Sequence, residues 1–157
     1  MQPVLLAEPI CMAMSEIETK KEPGVTINLD MGDVPDDTMV MTNGEMLQHL
    51  LRCLCSNAAK FTPEGSITIN TQLIPDGADT SKKLLRISVT DTGIGIPEGE
   101  EEHIFERFVK LNNFIPGTGL GLSLARLLAG HLGGRVYLDK TASTQGSCFA
   151  LEIPFIN

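Results

Sequence analysis

Apolar residues recur at helical spacing in three stretches of the chain and alternate with polar ones in several others. Ile10, Ala13, Met14 and Ile17 follow the period of a helix, which Pro9 suits at its first turn and Lys20-Lys21 with Pro23-Gly24 closes. Residues 1–8 read as the end of a connection, which leaves 9–157 as the folded domain. Val25–Asp30 and Thr38–Thr42 read as short strands. Asn43 is placed to cap a helix over 44–61, whose apolar stripe is Met46, Leu47, Leu50, Leu51, Leu54, Ala58 and Phe61. Thr62-Pro63-Glu64-Gly65 ends it. Ile67, Ile69, Thr71 and Leu73 share one face of a strand, and Leu85, Ile87 and Val89 share one face of the next, with Pro75-Asp76-Gly77 starting the turn between them. A short helix is predicted around His103–Val109. A strongly apolar helix follows over Gly119–Leu132, stopped by Gly133-Gly134. Strands at Arg135–Asp139 and Ser147–Ile153 complete the pattern. The elements predict an α/β (α+β) two-layer sandwich, a mixed and mostly antiparallel sheet with three longer helices on one face.

Composition narrows the class. A chain of 157 residues with 42% hydrophobic content fits one globular domain with a full core. The net charge of -8 and a pI near 4.8 argue against nucleic-acid binding, because neutralising phosphates requires a basic patch. No apolar stretch approaches the roughly 18 residues of a membrane span, and no signal-peptide pattern opens the chain. Direct membrane contact is therefore not expected of this domain. Cys11, Cys53, Cys55 and Cys148 have neither zinc nor disulfide spacing and read as free thiols of a reducing, cytoplasmic compartment.

Three features carry possible chemistry. Asn57 falls in the apolar stripe of the helix 44–61, three residues after Leu54, with Lys60 and Phe61 beside it. A buried amide costs about 1–3 kcal/mol unless it is paired, so Asn57 either caps a neighbouring loop or meets a ligand. Asp91-Thr92-Gly93-Ile94-Gly95-Ile96-Pro97 directly follows a strand. It is either an ordinary turn or an acidic group beside a wall of glycines that a flat ligand can approach. Gly117-Thr118-Gly119-Leu120-Gly121-Leu122 leads into a helix, where exposed amides favour anions. It has neither the lysine of a P-loop nor the GxGxxG spacing, and a ligand-free glycine hinge is the other reading.

Taken together and in this order, these segments resemble the four sequence boxes of the ATP-binding catalytic domain of sensor histidine kinases. That domain belongs to the superfamily holding gyrase B subunits, heat-shock chaperones and mismatch-repair ATPases. The N box resembles Leu50–Thr62, the G1 box Asp91–Pro97, the F box Ile104–Phe108 and the G2 box Gly117–Leu122, and the likeness runs from Val4 to Pro154. The resemblance implies a Bergerat-type ATP-binding fold with ATP and Mg²⁺ as ligands. It implies that Asp91 binds the adenine amino group, Gly93, Gly95 and Ile96 form the base wall, and Ser147 helps hold Asp91 through water. Asn57 would coordinate Mg²⁺, Lys60 would neutralise phosphate, and Ala58 and Phe61 would line the pocket. Asn57 and Lys60 are thereby the catalytic candidates. Residues 98–118 would form a lid with Arg107 and Lys110 as phosphate contacts, and Gly117, Thr118, Gly119, Leu120, Gly121 and Leu122 would wrap the triphosphate.

The same resemblance implies a partner: a phosphoacceptor histidine on the dimerisation domain of the parent kinase, with a response-regulator receiver domain downstream. His49, His103 and His131 all lie within the domain's own elements, so the isolated chain is not expected to autophosphorylate. One position departs from the family. Cys53 stands where a second asparagine is frequent, and where hydrolytic relatives carry a glutamate that activates water. A thiol cannot replace that base, which argues against a dedicated ATPase. Two alternatives remain at this level: a degenerate nucleotide-sensing module without kinase activity, and a serine kinase of the anti-sigma type.

Overall fold

The computed structural model describes residues 1–77, 79–93, 95, 105, 121–139 and 146–155. Its elements run β1 (Gln2–Leu5), α1 (Ala7–Lys20), β2 (Val25–Asp30), β3 (Met39–Thr42), α2 (Gly44–Phe61), β4 (Gly65–Asp76), β5 (Asp79–Asp91), α3 (Gly121–His131), β6 (Arg135–Leu138) and β7 (Ser147–Pro154). Among the described residues, five strands form one mixed sheet in the order β2-β4-β5-β7-β6, in which only the β2–β4 pair is parallel. A parallel pair needs a long crossover, and α2 lies within the one that joins β2 to β4.

The central helix forms for reasons visible in its sequence. Asn43 Oδ1 accepts the Met46 amide at 3.1 Å, capping the first turn. Leu47, Leu50, Leu51 and Leu54 are fully buried, each contributing roughly 1.5–3 kcal/mol by removal from water. α1 and α3 flank α2, which rests on β4 and β5, while α3 reaches β6 and β7. The inner face of the sheet supplies Ile67, Ile69, Leu85, Ile87, Val89, Phe149, Leu151 and Ile153, all at most 1% exposed. α3 ends as its glycine pair requires: the Gly134 amide reaches back to Ala129 O at 2.9 Å and the Gly133 amide to Gly130 O at 3.1 Å. The two-layer architecture is that expected from the pattern.

Three local expectations differ. Residues 1–8 are not an irregular connection, because Gln2–Leu5 pairs antiparallel with β3 and Leu6 is fully buried. Consequently β3 leaves the main sheet and forms a separate two-stranded ribbon with β1. Thr38, expected in that strand, instead donates through both amide and hydroxyl to Pro35 O, closing a turn. Finally, Pro75 belongs to β4 rather than to the turn: it pairs with Lys83, and the register shifts between Pro75 and Asp76. A proline at such an irregularity costs no ladder hydrogen bond. The helix expected over His103–Val109 lies outside the described residues apart from Phe105, and so do the first two residues of the helix expected from Gly119.

The outer face of the sheet carries a polar network absent from the sequence reading. Arg86 donates to Gln72 Oε1 at 3.3 Å, to Tyr137 Oη at 3.4 Å and to Asp139, while Tyr137 Oη and Arg135 donate to the two oxygens of Glu152. Burial raises the Tyr137 hydroxyl above its ordinary value, and the neighbouring Glu152 pushes it the same way against the pull of Arg86.

Candidate functional site

Register places an acid on the apolar face of the sheet. Ile67, Asp91 and Ser147 lie side by side across β4, β5 and β7, so Asp91 projects toward the helices from the last position of its strand. It is 1% exposed. A carboxylate so placed must be hydrogen-bonded to remain charged. Its Oδ1 accepts the Gly93 amide at 2.9 Å and the Ser147 amide at 3.3 Å, and Oδ2 accepts the Ser147 hydroxyl at 2.7 Å. Ser147 thus holds Asp91 directly, where the resemblance implied a bridging water.

The backbone beside Asp91 has no room for side chains. A Cβ on Gly93 would collide with the Phe61 carbonyl and come within 2.8 Å of Thr62 Oγ1, and one on Gly146 would collide with Asp91 itself. These glycines let the β5 end, the α2 end and the start of β7 meet in one place. Thr92 locks the same junction, accepting the Ser66 amide at 3.0 Å and donating its own amide to Ser66 O at 3.1 Å.

From the other side, α2 presents Cys53, Asn57 and Lys60 at spacings of four and three, one face of a helix. Asn57 is half-buried, and its Nδ2 is closed to solvent without a hydrogen-bond partner. The two ends of an amide exchange by a simple flip, so that position is one where Asn57 can present either a donor or an acceptor. Lys60 is exposed in the last turn of α2, where a cation also suits the helix dipole. Burial pushes the Cys53 thiol up, against the pull of the Arg52 and Lys60 charges, so it is neutral near pH 7. Burial alone takes the Cys55 thiol up to about 12.

The remaining candidates divide. Phe61, Asp91, Gly93 and Ser147 meet at the junction of α2, β5 and β7, with Asn57 and Lys60 near the α2 end that enters it. Gly95 adopts a positive φ of 77° two residues further on. Ala58 and Leu122 have their side chains in the hydrophobic core, and Gly121 opens α3 with open space around it. Ile96, Arg107, Lys110, Gly117, Thr118, Gly119 and Leu120 lie outside the described residues. Of the expected F box, Phe105 packs edge-on against Phe149, with ring centroids 6.0 Å apart, and the Arg126 guanidinium sits 4.1 Å from its ring centre. Sequence reasoning missed Thr62 as part of this junction, although it stood at the end of the same segment.

No group of three or more His, Cys, Asp or Glu side chains among the described residues could by itself hold a metal ion. None of the described helices is long and apolar enough to cross a membrane.

Comparison with known proteins agrees on one family. Residues 42–157 match the family described as histidine kinase-, DNA gyrase B- and HSP90-like ATPases. The sensor histidine kinase AruS of Pseudomonas aeruginosa is 39% identical over 113 residues, which cover 69% of this chain and 11% of that protein. Among solved structures, the mycobacterial sensor histidine kinase MprB shares the fold at a TM-score of 0.80, with 23% identity, over 98% of this chain and 97% of that one. Full-length ShkA, solved in complex with AMPPNP, has a TM-score of 0.78 and 29% identity, over 99% of this chain and 31% of that one. The chain spans 11% of AruS and between 14% and 37% of several other curated relatives, some of them named as sensor kinases.

Proposed function

Because the chain belongs to the histidine kinase-, DNA gyrase B- and HSP90-like ATPase family, as an ATP-binding domain of the sensor histidine kinase kind, we propose that it binds Mg²⁺-ATP and presents the γ-phosphoryl group to a histidine on a separate phosphoacceptor domain. The observation that carries this reading is Asp91. An acidic side chain, closed to solvent and fixed by three protein donors, sits at a glycine-lined junction with no ion pair among the described residues. A carboxylate is acceptor-only with about four lone-pair positions, so one more donor can be accommodated. The exocyclic amine of adenine is such a donor, and that the similar ShkA was solved in complex with AMPPNP supports a nucleotide as the ligand.

The residues also fit the metal. Mg²⁺ typically takes only one or two protein ligands and completes its shell with water and substrate phosphates. The unpaired amide of Asn57 fits that demand, and Mg²⁺ bound there would neutralise phosphate charge. Lys60, exposed one turn beyond Asn57, adds a cation at the phosphate end. On this reading Gly93, Gly95 and Ile96 line the base, Phe61 and Ala58 back the pocket, and Arg107, Lys110 and Gly117–Leu122 close over the triphosphate. The chain's own contribution is positioning and charge neutralisation, which phosphoryl transfer chiefly requires. A neutral imidazole is already a nucleophile, so no strong base is needed. The neutral Cys53 thiol cannot activate water, in keeping with transfer rather than hydrolysis.

The test is label transfer from γ-labelled ATP. The isolated chain should retain no label, and a supplied phosphoacceptor domain of the parent kinase should acquire an acid-labile one. Acid-stable label would point to a serine kinase instead, and no label on either protein, with ATP bound, to a nucleotide-sensing module.

A further inference from the structure

Among the described residues, three side-chain polar atoms are shut off from solvent without a hydrogen-bond partner: Thr42 Oγ1, Asn57 Nδ2 and Thr62 Oγ1. Thr42 precedes α2. Asn57 lies near the opposite end of the helix, and Thr62 is the residue that caps that end. Asn57 already has a proposed ligand, but Thr62 has none. Thr62 is 0% exposed and its hydroxyl abuts Gly93, whose amide is bonded to Asp91 Oδ1 at 2.9 Å. Thr62 and Asp91 therefore both adjoin Gly93.

An unpaired buried hydroxyl is costly and uncommon. Thr71, as deeply buried, shows the ordinary solution by donating to Met31 O at 2.7 Å. Were Thr62 needed only for its shape, valine would fill the same space without the penalty.

The hydrogen-bond inventory of the junction says what the hydroxyl is for. An adenine edge offers an amino donor next to a ring-nitrogen acceptor. Asp91 can only accept, which suits the amine. Ser147 has already spent its one hydroxyl proton on Asp91 Oδ2 at 2.7 Å. The ring nitrogen therefore needs another donor, and among the described residues Thr62 offers a buried hydroxyl whose proton is unspent. Building on the nucleotide reading above, we propose that Thr62 is a specificity-determining residue of the base site, its hydroxyl donating, directly or through one water, to the adenine ring nitrogen beside the amino group.

Calorimetric titration of the wild-type chain, Thr62→Val and Thr62→Ser with Mg²⁺-ATP and with 1-deaza-ATP, which lacks that nitrogen, tests it. Thr62→Val should weaken ATP binding roughly 3- to 10-fold. It should leave 1-deaza-ATP binding unchanged and melt no lower than wild type, while Thr62→Ser retains wild-type affinity. Thr62→Ala supplies the same comparison if valine does not pack. Unchanged ATP affinity in Thr62→Val, or an equal loss for both nucleotides, overturns the assignment while leaving the nucleotide site intact. A folded wild-type chain that binds no ATP overturns the nucleotide reading and this inference with it.

Discussion

Replacing Asp91 by asparagine separates a binding role for this side chain from a folding role. Aspartate Oδ1 takes two amide protons, from Gly93 at 2.9 Å and Ser147 at 3.3 Å, and Oδ2 takes the Ser147 hydroxyl proton at 2.7 Å. Asparagine has the same shape and keeps an oxygen at the first position. Its nitrogen then faces Ser147 Oγ, whose hydroxyl can turn to accept. All three protein bonds survive in neutral form. Charge assistance is lost, about 1 kcal/mol or more per bond, but so is the several-kcal/mol penalty of a carboxylate that is 1% exposed. These opposing changes leave stability altered by no more than about 2 kcal/mol, a melting shift within roughly 4–8 °C for a domain of this size. The ligand has no such compensation. An amine donor that met an anionic acceptor now meets an amide that offers it an N–H, a loss of about 1.5–3 kcal/mol, or roughly 10- to 150-fold in Kd. Calorimetric titration with Mg²⁺-ATP and thermal circular dichroism measure both. A folded variant whose ATP affinity stays within twofold of wild type would refute the adenine role. A variant unfolded at 25 °C would show that the negative charge serves the fold.

Other outcomes follow from the same geometry. Asn57→Ala should weaken ATP binding at least tenfold with Mg²⁺ present and change it little in chelator, as titration in the two buffers will show; equal losses in both would indicate a folding role. Gly93→Ala places a methyl group against the Phe61 carbonyl and should cost about 1–3 kcal/mol or more in urea denaturation. Native-state thiol titration near pH 8 should label exposed Cys11 quickly, Cys53 slowly and Cys55, with its thiol raised to about 12, last of all. Saturating Mg²⁺-ATP should slow Cys53 further and leave Cys11 unaffected.

Where sequence and structure agree, one local signal was unopposed. The helix over 44–61 carried a capping asparagine, a continuous leucine stripe and a Pro-Glu-Gly stop, and the structure reproduces those bounds. The β4–β5 hairpin was legible because its two alternating runs are long enough to define an inner face. Short elements were not. Gln2–Leu5 has too few alternations to declare itself, and its strand exists only because β3 pairs with it and Leu6 needs burial. Pro75 is a turn signal in isolation, overridden by pairing with Lys83. At the site, motif order brought Asn57, Asp91 and Ser147 into consideration. The direct Ser147–Asp91 bond, the orphaned Thr62 hydroxyl and the crowding around Gly93 all depend on distances across elements far apart in sequence. The Arg86–Tyr137–Glu152 network was equally hidden, since register alone brings those residues together.

The most direct measurement is calorimetric titration of this chain with ATP, with and without Mg²⁺ and with GTP as control. ATP binding should be saturable, strengthened by Mg²⁺ and not matched by GTP, because guanine presents a carbonyl where Asp91 requires a donor. Absence of binding at millimolar ATP in a demonstrably folded sample, or equal affinity for GTP, would contradict the nucleotide reading.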